Sequence, residues 1–142
     1  MIVAQILASK GRDVATTASD RSISDVTMEL AARKIGALVV TEHGRVVGIV
    51  SERDIVRTIG LKGAGILADP VSSIMTRDVI TCREGETIND VMTRMTRRRF
   101  RHLPVLEGGE LVGIVSIGDV VKARIEEVEH EADDLRTYIA TA

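Results

Sequence analysis

The chain has 142 residues, 44% hydrophobic and 28% charged, with a net charge of −2 at pH 7. That length buries an adequate core as one domain or as two tightly joined halves, in the soluble globular class. The slight acidity argues against a surface built wholesale to hold nucleic acid.

Val3, Ile6 and Leu7 mark a short apolar helix leading into the first half. Asp13-Val14-Ala15-Thr16 reads as a strand, and Ser22 as the N-cap of a helix. That helix carries Ile23, Val26, Leu30 and Ile35 on one stripe, and Asp25 stands in a capping-box position. Strands over 37–40 and 45–50 flank a tight turn at His43-Gly44, and a helix follows over 52–58. Gly60, Gly63, Gly65 and Pro70 punctuate a joint. Val71, Ile74 and Met75 then repeat the lead-in helix. A strand over 78–81, a helix over 87–99, a strand over 103–106, the turn Gly108-Gly109, a strand over 111–115 and a helix from Asp119 complete the order.

The second order copies the first. Asp13 to Thr58 matches Asp78 to Ala123 without a gap, at a displacement of 65 residues. Identical pairs include Asp13/Asp78, Val14/Val79, Thr16/Thr81, Ile23/Ile88, Leu38/Leu103, Gly44/Gly109 and Ser51/Ser116. The lead-in segments match at a displacement of 68, which leaves about three extra residues at Ser9-Lys10-Gly11. One β-α-β-β-α unit cannot bury a sheet face alone, so two copies are expected to pack about a pseudo-twofold axis.

Each copy closes on Gly-x-x-Ser-x-x-Asp, as Gly48, Ser51 and Asp54, then Gly113, Ser116 and Asp119. The glycine lets a strand approach a neighbour closely. The serine stands where strand hands over to helix, so its hydroxyl caps the helix or meets a phosphate beside the free amides there. The aspartate suits the helix dipole and is also able to accept both hydroxyls of a ribose. An N-cap pair and a nucleotide contact both satisfy this spacing.

Two such copies, with Arg101-His102-Leu103-Pro104-Val105 before the second hairpin, resemble a pair of CBS domains, modules named after cystathionine β-synthase. The resemblance runs over roughly 3–124, with no catalytic domain attached. It implies an α+β fold of two pseudo-symmetric repeats packed sheet to sheet, plus a C-terminal helix. Residues 1–62 would form the first repeat with its N-terminal helix, 63–124 the second with its lead-in, and 125–142 a helical extension.

The resemblance also implies a non-catalytic regulatory module, without a catalytic cofactor, that senses energy or redox state for a partner protein. The ligand types implied are AMP, ADP, ATP, NAD or NADH, and S-adenosylmethionine, held in clefts between the repeats. In such pairs the aspartate holds ribose and the serine contacts phosphate or sugar. Ser51 and Asp54 would serve one cleft, Ser116 and Asp119 the other. Val14 to Thr16 and Val79, Ile80 and Thr81 resemble the strand that borders the base. The backbone around Gly36, Ala37 and Leu38, and around Arg101, His102 and Leu103, would read the base edge, with Pro104 stiffening the second version.

The halves differ in their cations. The second has Arg94, Arg97, Arg98, Arg99, Arg101 and His102, where the first offers Arg33 and Lys34. Forked guanidinium donors match phosphate. A solvated helix face accounts equally well for Arg94 and Arg98, whereas Arg101 and His102 adjoin the base-reading strand and are assigned to phosphate, and Arg99 beside them is counted among the ligand-binding residues. Arg53 stands where the second motif has Gly118, so the two sites are expected to be unequal. The cluster from Arg94 to His102 also suits nucleic acid. Against that stand the acidic tail and a chain with Phe100 and Tyr138 as its only aromatic rings.

No phosphate loop, zinc-protease pattern or triad signature is present, so neither catalysis nor a metal site is expected. His43 and His130 read as exposed. Cys82, the single cysteine, reads as a small buried hydrophobe in a reducing cytoplasm. Residues 1–5 lack the layout of a secretory signal, and no apolar run nears the roughly 20 residues that span a bilayer. Val121, Ile125, Val128, Ala132, Leu135 and Ile139 step by four and three, a heptad seam fitted to lock a homodimer. The alternatives are a helix folded back on its own core, or a purely structural dimerisation module.

Overall fold

The computed structural model describes Met1–Thr141; Ala142, the end of the expected 125–142 extension, lies outside the described residues. The fold is α+β, with helices α1 (Val3–Lys10), α2 (Ile23–Arg33), α3 (Glu52–Lys62), α4 (Ile88–Arg98) and α5 (Ile117–Thr141). The strands are β1 (Thr16–Ala18), β2 (Ala37–Glu42), β3 (Arg45–Ser51), β4 (His102–Glu107) and β5 (Glu110–Ser116). The chain divides into two compact units. One holds Asp13–Ile80 with Gly108–Leu111; the other holds Met1–Arg12, Thr81–Glu107 and the chain from Val112 onward. These units cross the repeat boundary. The lead-in helix α1 belongs with the body of the second repeat, and the lead-in at 71–80 with the body of the first.

In the first unit the sheet order is β1-β2-β3, parallel then antiparallel. His43 and Gly44, at φ 51° and 75°, make the tight turn between β2 and β3 that suits strand twist. Ile23, Val26 and Leu30 of α2 close on Leu38, Val40 and Val50, with Ile55, Ile66, Val71 and Met75 completing the core. Ser22 caps α2, its Oγ accepting from the Asp25 amide at 3.0 Å. The strand expected over 13–16 lies instead at Thr16–Ala18. The chain meets β2 at Ala15, whose carbonyl accepts from the Val39 amide at 3.1 Å, and the paired register runs on from there.

The second repeat carries the β4-β5 hairpin, turned at Gly108 and Gly109 with φ 58° and 82°. Helices α1 and α4 both pack on α5. Val3, Ile6, Leu7, Ile88, Val91, Met95, Leu103, Val105 and Val115 are buried. The strand expected over 78–81 does not form among the described residues. A single parallel bridge, Cys82 to Val105, stands in register with Thr17–Val40 of the first repeat. The cause is Pro104. It occupies the position of Val39, whose N–H donates to Ala15, and a proline has no N–H to give.

Three further expectations shift. The second lead-in is a 3₁₀ turn, Val71–Ser73, rather than an α-helix, because Thr76 pairs both ways with Ile49 at 2.9 and 3.0 Å and draws the chain straight. Helix α3 continues past 58 to Lys62, where Gly63 at φ 85° ends it. Helix α5 begins at Ile117, ahead of Asp119, and runs unbroken through 125.

One ion pair repeats with its signs exchanged. Arg21 pairs with Glu29 in the first unit, and in the same register Glu86 pairs with Arg94 in the second. Arg94 also donates to the Thr81 carbonyl at 3.0 Å, so it is a half-buried clamp rather than a solvated cation.

Candidate ligand-binding motifs

Each motif begins with a close approach. A Cβ on Gly48 would lie 2.5 Å from Met75 Sδ and 3.0 Å from the Thr76 carbonyl oxygen. A Cβ on Gly113 would lie 2.6 Å from Leu7 Cδ2. Leu7 and Met75 are matching residues of the two lead-ins. The lead-in of each repeat thus seals the motif glycine of the other. The Gly36 carbonyl accepts from the Glu52 amide at 2.9 Å, and that of Arg101 from Ile117 at 2.7 Å, tying each hairpin's start to the helix after its motif.

At the joint of β3 and α3, Asp54 Oδ2 accepts from the Ser51 amide and hydroxyl, both at 3.0 Å, and the Asp54 amide donates to Ser51 Oγ at 3.2 Å. Asp54 Oδ1 takes Arg57 Nη2 at 3.0 Å, from an arginine side chain 70% exposed. At the joint of β5 and α5, Asp119 Oδ2 accepts from the Ser116 amide at 2.9 Å, and the Asp119 amide donates to Ser116 Oγ at 3.1 Å. Both motifs are therefore complete capping boxes. In the second, Lys10 Nζ adds bonds to Asp119 Oδ2 at 2.7 Å and to the Ile114 carbonyl at 2.9 Å. Burial pushes the Asp119 carboxyl up, but the Lys10 and Ser116 donors outweigh it and hold the group below its ordinary value.

The remaining expected residues fall into two sets. Val14, Thr16, Gly36, Ala37, Leu38, Ser51, Arg53 and Asp54 lie in the first unit, together with Val79 and Ile80. Thr81, Arg99, Arg101, His102, Leu103, Pro104, Ser116 and Asp119 lie in the second. Leu38 and Leu103 are fully buried, so their side chains belong to the core. Arg53, Arg99 and Arg101 are exposed, and His102 is half-buried. Arg99, at φ 57°, ends α4 in the left-handed conformation. A hollow of about 390 Å³ between α2 and α3 is lined by Leu30, Lys34, Gly36, Glu52 and Val56 among others, and includes neither Ser51 nor Asp54.

Sequence reasoning missed Lys10 and Arg57. The signal for Lys10 was its place in the three-residue insertion that separates the two lead-in registers. Cys82 is buried, its thiol pushed up to about 12 by burial, with Glu86 adding and Arg94 opposing. Among the described residues no helix is long and apolar enough to cross a membrane.

The family model for the CBS domain matches residues 3–61 and 71–126. The CBS domain-containing protein CBSX3, mitochondrial, from Arabidopsis thaliana is 32% identical over 96% of this chain and 71% of its own length. The crystal structure of the CBS-domain containing protein ATU1752 from Agrobacterium tumefaciens superposes with a TM-score of 0.85 at 49% identity, over 87% of this chain and 99% of that one. The CBS domain pair of protein MJ0100, solved with 5′-methylthioadenosine and S-adenosyl-L-methionine, superposes with a TM-score of 0.78 at 28% identity, over 89% and 98%.

Proposed function

Because the chain belongs to the CBS-domain family and carries two of its repeats, we propose that it is a non-catalytic regulatory module binding adenine nucleotides through its two motifs. The observation that carries this reading is the shared geometry of Asp54 and Asp119. In each, the serine amide occupies one carboxylate oxygen at a strand-to-helix joint, which orients the group while capping the helix. A carboxylate so oriented suits paired ribose hydroxyls, and the adjoining serine suits phosphate or sugar. The two adenosine compounds bound by MJ0100 support the ligand class. AMP, ADP, ATP or NAD fit the proposal, with Arg53 near one phosphate end and Arg99, Arg101 and His102 near the other.

Ligand binding reports energy or redox state to a partner protein only where affinity differs between two conformations. The module acts as a homodimer in a reducing cytoplasm. Val121, Ile125, Val128, Leu135 and Ile139 of α5 are exposed, and a second copy is the occupant that a heptad seam fits.

Calorimetry of the full chain with AMP, ADP, ATP, NAD and S-adenosylmethionine, alongside Asp54→Ala and Asp119→Ala, tests the reading. Each substitution is expected to remove one binding event. Equal affinity and stoichiometry in all three proteins overturns it, and light scattering that finds a monomer in the same samples overturns the dimer.

A further inference from the structure

The two motifs differ most in what stands on the aspartate. Asp119 carries the Lys10 ammonium at 2.7 Å, delivered from the last turn of α1 and anchored also on the Ile114 carbonyl at 2.9 Å. Asp54 has no such visitor from outside its own helix among the described contacts; its cation is Arg57, three residues on. Lys10 stands among the three extra residues Ser9-Lys10-Gly11 of the first lead-in, so the second lead-in holds no counterpart to it. The Ile49 carbonyl, counterpart of Ile114, accepts from the Thr76 backbone amide instead. The lysine therefore belongs to the second motif alone.

Lys10 is also surplus to the cap. Ser116 and Asp119 satisfy one another in both directions without it. Its side chain is 32% exposed, so the ammonium has room to leave on its four-carbon stem. For ribose hydroxyls to take Asp119 Oδ2, that ammonium has to leave. A neutral nucleoside then strips the lysine of its anion and returns nothing. A phosphorylated nucleoside supplies a second anion within the same ligand, to which a mobile point charge transfers.

We propose that Lys10 is the specificity-determining residue of the second motif, making it selective for anionic, phosphorylated nucleosides over neutral ones. The inference rests on the reading of Asp119 as a ribose acceptor. It predicts that the first motif, without a lysine, discriminates less.

The test uses the full chain carrying Asp54→Asn, which silences the first motif and retains an oxygen acceptor at the α3 cap. AMP and adenosine are titrated by calorimetry against this protein and against the same protein with Lys10→Met. The parent is expected to prefer AMP by about tenfold or more, the scale of one hydrogen bond to a charged group. In Lys10→Met the ratio is expected to fall within about twofold of unity, AMP weakening while adenosine tightens. Lys10→Arg, which keeps the charge, is expected to retain the preference. A merely structural lysine moves both ligands in the same direction, so an unchanged ratio in Lys10→Met overturns the proposal while leaving the nucleotide site intact. Should the parent bind neither ligand at the second motif, the ribose role of Asp119 falls, and the selector with it. Thermal melts of each variant confirm that the proteins compared are folded, and Lys10→Gln replaces the methionine variant if that one is not.

Discussion

The two repeats share register, caps and motif spacing, yet they are built differently at several places where one residue pairs with something distant. The first has a three-stranded sheet, a threonine at the centre of β1 and an arginine–glutamate pair reading Arg21–Glu29. The second has a two-stranded sheet, a cysteine at the matching place and the pair reversed as Glu86–Arg94. Local devices set by neighbours within four residues survive duplication. Tertiary contacts drift, and the ion pair drifts with both partners exchanged, because a lone half of a partly buried ion pair is costly while the exchanged pair is not.

The sharpest break between the halves is expected at the motif glycines. Gly48→Ala meets a methionine side chain and the rigid Thr76 carbonyl, whereas the nearest atoms to Gly113→Ala all belong to the Leu7 side chain. Overpacking of this kind costs about 1–3 kcal/mol, with Gly48 at the upper end and Gly113 at the lower. Urea unfolding of both variants ranks them, and equal losses would show that the Thr76 backbone yields.

Next in size is the exchanged ion pair. Arg94→Ala is expected to lose about 1–2 kcal/mol, discounted because both partners are a quarter to a third exposed. Glu86→Arg combined with Arg94→Glu, the arrangement of the first repeat, is expected to recover most of it in a double-mutant cycle. Arg94 holds the Glu86 carboxyl below its ordinary value, with burial opposing and Arg83 assisting, and Asp119 is likewise lowered. A carboxyl lowered on folding stabilises above its unfolded value, about 4, and loses that contribution as pH falls through the lower folded one. Acid titration of wild-type protein is therefore expected to show this loss below about pH 4, and Arg94→Ala a smaller one.

The smallest effect separates Thr17 from Cys82. Thr17 Oγ1 is buried without a hydrogen-bond partner among the described residues, at the place where the second repeat has a thiol. Thr17→Val is expected to stabilise by about 1 kcal/mol, and Cys82→Thr to destabilise by a similar amount. An unchanged denaturation midpoint in Thr17→Val would mean that the hydroxyl finds a partner in solution.

Most of the fold was legible because its signals are local. Ser22 and Thr87 cap the helices that their spacing announces, and the His43-Gly44 and Gly108-Gly109 turns take the positive φ that their positions require. The strand over 78–81 was not legible from its own residues, since it fails through Pro104, more than twenty positions away. The same applies to Arg94, which left a solvated face and a phosphate contact both open until Glu86 and Thr81 stood beside it. The repeated spacing singled out Ser51, Asp54, Ser116 and Asp119, and the family resemblance alone gave them a nucleotide role; Lys10 was not legible, since 109 residues separate it from Asp119.

By itself the sequence determined the duplication, written as identities at one fixed displacement, and the caps, the turns and the two motifs, which depend on residues within a few positions of one another. Only the tertiary structure decided that the lead-ins are exchanged, Leu7 against Gly113 and Met75 against Gly48, and that Lys10 stands on one motif aspartate and not the other. Those choices depend on where the folded backbone brings remote segments within van der Waals or hydrogen-bond range, and periodicity carries no record of that.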